Sequence, residues 1–146
     1  MGNFSNQVAG FTREYERRLR ATARTAVQET VSKAQVTIGE GGRMHILTGF
    51  LRASIQAALN EMPSGPTSPA DKKTKNQYSV GAQVTGEPVS VTLLRWDLNK
   101  GTPFFVGWTA NYARYRESQD GFLRGAVELW DETVANAARQ VRSGLG

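Results

Sequence analysis

The stretch "YSVGAQVTGEPVSVTLLRWDLNKGTPFFVGW", Tyr78 to Trp108, decides the fold class, because it is the long region that reads as strand. Tyr78, Val80, Ala82 and Val84 alternate with smaller or polar residues, and "TGEP" supplies a turn. Val89, Val91 and Leu93 resume the alternation and run on to Trp96. "DLNKGTP" reads as a second turn, after which Phe104, Val106 and Trp108 make a further strand. This spacing predicts a three-stranded antiparallel sheet, with room for a fourth strand.

Helical patterns flank it on both sides. Phe4 to about Val36 reads as one long amphipathic helix, with Phe4, Val8, Phe11, Tyr15, Leu19, Ala23, Ala26 and Thr30 at three- and four-residue steps. Arg13, Arg17, Arg20 and Arg24 lie opposite that stripe, and "IGEGG" at 38–42 ends it. In "LTGFLRASIQAALNEM", Thr48 is a candidate cap and Leu51, Ile55 and Leu59 form the apolar face of a short second helix. "PSGPTSPADKKTKNQ", residues 63–77, is polar and rich in proline, the composition of a flexible loop. A last helix starts at Asp120, its expected cap, and carries Leu123, Val127, Trp130, Val134 and Val141 on one stripe. Arg139 and Arg142 suit its C-terminal end, and Gly144 stops it. The expected architecture is α+β: a long N-terminal helix, a short second helix, the sheet, and a C-terminal helix packed on the sheet. One domain spans 1–146.

Composition narrows the function. A chain of 146 residues suits one core, and 39% hydrophobic with 21% charged residues is ordinary for a globular protein. There is no cysteine, which excludes disulfides, thiol catalysis and cysteine-bound zinc. His45 is the single histidine, which removes most metal sites and acid–base triads. No apolar run approaches the ~18 residues of a membrane span. The start, "MGNFSNQVAGFTREYE", lacks a charged segment followed by an apolar block, so no signal peptide is expected. The net charge is +5, of which residues 1–37 supply +3 and residues 120–146 supply −1.

No spacing of the acidic residues suggests a catalytic site. Asp97 and Glu117 are a conceivable carboxylate pair, although turn and surface roles are the commoner use. Glu128, Asp131 and Glu132 are expected to face solvent, and His45 to pack at a helix entry. Neither a cofactor site nor a metal site is expected. Lys72, Lys73 and Lys75 are candidate contacts to partners, with a solvated loop as the alternative. Tyr112 and Tyr115, beside Arg114 and Arg116, suit either base stacking or the anchoring of a strand-to-helix junction.

Three segments together resemble one family. "LTGFLRASI" (47–55) is similar to the threonine–glycine–x–leucine–arginine–x–serine–isoleucine element of tail-completion or neck proteins of long-tailed bacteriophages, here Thr48, Gly49, Leu51, Arg52 and Ile55. "VGWTANYARYRE" (106–117) resembles that family's valine–glycine strand and its tyrosine–alanine–x–tyrosine–x–glutamate run, here Val106, Gly107, Tyr112, Ala113, Tyr115 and Glu117. "GFLRGAVE" (121–128) resembles its helix start, carried by Phe122 and Leu123. The three occur in family order behind a long first helix.

The resemblance implies a non-enzymatic virion protein, assembled in the bacterial host cytoplasm. It would form a ring, six copies being the expected number, between head connector and tail tube. Its partners would be its own copies, the neighbouring head-connector proteins, and tail-tube or tail-terminator proteins. It would enclose double-stranded DNA without reading sequence and touch no membrane. A tail terminator capping the tail tube is the near alternative, and a small basic nucleic-acid-binding protein the distant one. Under the ring reading, Gly49 and Gly107 permit close backbone approach and Leu51, Ile55, Phe122 and Leu123 fill the core. Tyr112 and Tyr115 pin the junction, and Arg52 pairs with Glu117. Six copies would carry about +30 against the ~24 phosphates of a ~40 Å channel. Most basic groups are therefore expected to face outward or to meet acidic partner subunits.

Overall fold

The computed structural model describes residues 2–46, 49–68, 78 and 82–144. The long helix forms as its period requires, as α1 (Gly2–Ala34). Its stripe is used unevenly. Ala26, Thr30, Val31 and Ala34 are buried, whereas no described side chain before Ala26 is.

"FLRASIQAAL" divides into a one-turn helix, α2 (Phe50–Ala53), and a strand, β1 (Ile55–Leu59). This corrects the expected short helix with Ile55 and Leu59 on its face. Ser54 makes the division. Its amide closes on the Phe50 carbonyl and its hydroxyl donates to the Leu51 carbonyl, which ends the helical turn. Its own carbonyl accepts the Thr109 amide, next to the ladder with β2 (Phe104–Trp108). The strands run antiparallel, Ile55 opposite Trp108 and Leu59 opposite Phe104. Pairing overrides the helix preference of Gln, Ala and Leu.

The expected sheet of three or four strands is therefore, among the described residues, a sheet of two. Residues 89–93 are not strand but the start of a helix, α3 (Val89–Arg95). Two residues just before it are responsible. Pro88, at φ −53°, is preset for helix entry and has no N–H to lose there. The Glu87 carboxylate accepts from Thr92 Oγ1 and the Arg95 guanidinium, folding the first turn back on itself. Val89, Thr92 and Leu93 then point inward at helical spacing. Of the strand expected over Tyr78–Val84, residues 79–81 lie outside the described residues, and Ala82 to Val84 are not strand.

The expected single C-terminal helix is three: α4 (Ala113–Asp120), α5 (Phe122–Val127) and α6 (Trp130–Arg142). Asp120 is the last residue of α4 rather than a cap. Gly121 breaks the chain at φ 64°, a backbone setting that glycine adopts without strain. A second corrected point is packing: α6 lies along α1, not on the sheet. Lys33 Nζ donates to Thr133 Oγ1 at 2.7 Å and Gln140 Nε2 to Glu29 Oε1 at 3.1 Å, so the two helices run antiparallel. Small buried residues, Ala26 and Ala34 on α1 with Thr133 and Ala137 on α6, allow close approach. Two clusters result. Val31, Ile55, Val89 and Leu93 join α1 and α3 to the sheet, and Phe50, Leu51, Phe122 and Ala126 join α2 and α5 to the end of α1.

Candidate functional site

The three segments that carry the resemblance come together in space. Phe50, Leu51, Ala110, Ala113, Phe122 and Ala126 belong to one buried cluster, with Trp108 and Leu123 packed against it. Phe122 meets Trp108 edge to face, ring centroids 5.2 Å apart. Ile55 is buried and Val106 half-buried in the other cluster. Ser54 is the polar hub between segments, its hydroxyl accepting the Ala110 amide. Thr48 lies outside the described residues. At Gly49, φ 80°, a Cβ would stand 2.7 Å from the Tyr78 carbonyl oxygen, so the backbone approach there is close. At Gly107 it is not: a Cβ would make an ordinary 3.6 Å contact with Pro63.

Glu117 has a different job from the expected pairing with Arg52. Its two carboxylate oxygens accept the backbone amides of Leu123 and Arg124 at 2.8 and 2.9 Å, capping the N-terminus of α5 across Gly121. Arg52 contributes its carbonyl, which accepts from Gln35 Nε2. Asp97 is likewise committed locally, accepting the Asn99 amide in a 3-10 turn. No hydrogen bond or ion pair joins Asp97 to Glu117 among the described residues.

The tyrosines separate. Tyr112 is 37% exposed; burial raises its pKa, and the nearby Leu51 backbone offsets part of the rise. Tyr115 is 61% exposed, its ring lying 6.0 Å from the Arg116 guanidinium.

His45 does not simply pack at a helix entry. Its Nδ1 sits 2.8 Å from Asp120 Oδ2, and Arg116 donates to both Asp120 oxygens. The Asp120 side chain is only 8% exposed. Burial pushes its carboxyl up, and the hydrogen bonds from His45 and Arg116 outweigh that, leaving it below the usual carboxylate range. The arrangement ties α4 to the segment after α1. The i,i+4 spacing of Arg116 and Asp120 was the available sequence signal for it. Among the described residues no group of three or more acidic or histidine side chains is placed to hold a metal ion. Among the described residues no helix is long and apolar enough to cross a membrane.

What remains is surface. An open groove of about 450 Å³ lies between α1 and α3, lined by Arg24, Gln28, Glu29, Leu93 and Leu94. Of the 63–77 segment, the start is tied down: Thr109 Oγ1 donates to the Pro66 carbonyl and the Asn111 amide to that of Thr67. Lys72, Lys73 and Lys75 lie outside the described residues. Among the described residues the N-terminal half of α1 carries a run of exposed apolar side chains, Phe4 at 72%, Phe11 at 75% and Tyr15 at 61%. Sequence periodicity found this stripe but carried no sign that half of it stays uncovered. No family model, curated protein or solved structure matches the chain.

Proposed function

We propose that this chain is a structural assembly protein of the bacteriophage neck, one subunit of a ring around the DNA channel between head connector and tail tube. The observation that carries this reading is the bare half of α1. Its stripe of Phe4, Val8, Phe11, Tyr15 and Leu19 stays exposed among the described residues. Three aromatics so exposed, at 150–250 Å² each when whole, leave roughly 400 Å² uncovered. Exposed apolar area of that order is often functional, as a site of contact with a partner. The motif residues support the same reading from the other side, since they fill the core, cap α5 and link segments. In this role the chain spends its binding energy on contact with other subunits.

Deletion of the gene followed by imaging of the particles tests it. Heads and tails that form but fail to join agree with the proposal, and normal infectious virions contradict it. A second reading has its own observation: Arg13, Arg17 and Arg18 stand exposed on the same arm as Phe11 and Tyr15, with Arg18 one turn from Tyr15, a pattern suited to nucleic acid. Duplex binding at micromolar strength with a steep salt slope would favour that reading over a scaffold.

A further inference from the structure

We infer that the free edge of β2 pairs antiparallel with β2 of a second copy of this chain, joining two two-stranded sheets into one of four strands. The register fixes which backbone groups are free. At the two ends of the ladder the Thr109 amide donates to the Ser54 carbonyl and the Asn60 amide to the Pro103 carbonyl. Hydrogen-bonded pairs alternate along antiparallel strands, so Phe105 and Gly107 turn their N–H and C=O groups toward β1. Those of Phe104, Val106 and Trp108 point the other way. Among the described residues nothing bonds them. All 5 residues of β2 are half-buried, a position where unpaired backbone groups are costly.

The opposite edge is different. Along β1, Val84 donates its amide to the Ala53 carbonyl, Gln56 Nε2 donates to the Thr85 carbonyl, and α3 packs against the strand. Ile55 is buried there. Among the described residues β2 has no such cover, and it lacks the devices that keep an edge from pairing. No charged residue lies between Lys100 and Arg114, and neither proline nor bulge interrupts Phe104–Trp108. Pro103 stands at an inward position, where its carbonyl already serves Asn60, so its missing N–H takes nothing from the free edge.

A second copy is the occupant because the edge complements itself. A two-fold axis at Val106 sets that residue opposite its own equivalent, and Phe104 of each copy opposite Trp108 of the other. These are the residues whose backbone groups point outward, so every free N–H and C=O of the strand meets a partner. On the face toward Ile55 and Val89, Phe104 and Trp108 then form aromatic cross-strand pairs. On the other face Phe105 falls opposite Gly107, whose missing side chain leaves room for the ring. A Cβ at Gly107 would have only Pro63 near it, at 3.6 Å. Large meets small, and identical uncharged strands carry nothing that repels.

Amide exchange of the unmodified chain, read residue by residue across a dilution series with light scattering for mass, tests this. On concentration the mass should double, and exchange at Phe104, Val106 and Trp108 should slow at least about tenfold, as bonded amides do against open ones. Phe105 and Gly107, bonded to β1 in either state, should be slow throughout. Val106→Pro removes the outward N–H at the axis and no ladder bond, so it should stay monomeric while Phe105 and Gly107 remain slow. Should that variant fail to fold, the dilution series of the unmodified chain decides alone. A chain that is monomeric at every concentration overturns the inference. So does a dimer in which those three amides still exchange fast, or one that protects Ile55, Ala57 and Leu59 instead. Dimers of folded Val106→Pro as abundant as those of the unmodified chain also overturn it. A two-fold contact differs in kind from the heterologous contacts of a ring, so either result leaves the neck reading to its own test.

Discussion

The two halves of α1 share one helix, one period and one kind of apolar stripe, yet only one half is inside the protein. From Ala26 to Ala34 the stripe is small or β-branched and packs against Ile55, Val89 and Leu93 on one side and α5 on the other. From Phe4 to Leu19 it is larger, richer in aromatics, and bare. Periodicity therefore establishes that a helix has an apolar face, and residue size hints at what that face meets. Alanines admit a neighbouring helix closely within one fold. Phenylalanine and tyrosine suit a contact that must be won against the entropy of association, where large rigid side chains give most area per rotor frozen.

The widest separation between the halves should come from placing the same carboxylate in each. Val31→Asp buries an unpaired charge among Ile55, Val89 and Leu93 and should cost more than about 4 kcal/mol, leaving the chain unfolded in a urea titration. Val8→Asp should leave the urea midpoint where it was. A large shift from Val8→Asp would mean that the arm is part of the core after all.

Next in size is a comparison of two carboxylates, one in each region. Asp120 is held in the body by Arg116 and His45, and Asp120→Asn should cost about 2 kcal/mol, as for a charged hydrogen bond. Its folded pKa is depressed, so its stabilisation is present above the unfolded carboxyl value of about 3.9 and is lost as pH falls through the folded value. The wild type should lose stability on acidification below about pH 4, and Asp120→Asn should lack that part of the loss. Glu14 is also held low, at about 2, by hydrogen bonds from Arg17 and then Arg18, but on the open arm. Glu14→Gln should leave the global midpoint unchanged, because a solvated pair on an unpacked segment does not report on the cooperative unit.

A smaller effect sharpens the boundary of the packed region. Glu117→Ala removes the cap of α5, the helix against the buried half of α1, and should cost about 1 kcal/mol in thermal or urea unfolding. Arg52→Ala should not reproduce that loss, because the cap does not use the Arg52 side chain.

The long N-terminal helix could be read directly, because one helical period runs through all 33 of its residues. β2 was legible as well, from Phe104, Val106 and Trp108. The errors lie where short segments satisfy two periods at once. Val89 and Leu93 fit a strand by alternation and a helix by i,i+4 spacing, and the residues that decide, Glu87 and Pro88, sit outside the run. Ile55–Leu59 is built of helix formers and becomes a strand because Ser54 stops the turn and β2 offers a partner. Gly121 was visible as a glycine, but its use as a break required Glu117 to cap beyond it. As for the candidate site, the motif residues were legible as a group and their individual jobs were not, Arg52 and Tyr115 least of all. Glu128, Asp131 and Glu132 face solvent as expected, but nothing in the sequence announces that Val127, Leu129 and Trp130 beside them are exposed too.

Hydrogen exchange along α1, compared between the dilute free chain and the assembled particle, tests the central claim most directly. Residues 3–19 should exchange quickly in the free chain, and residues 26–34 slowly in both states. On assembly the arm should gain protection approaching that of its buried continuation. An arm that exchanges at the same rate in both states, or one already protected when free, would contradict the account.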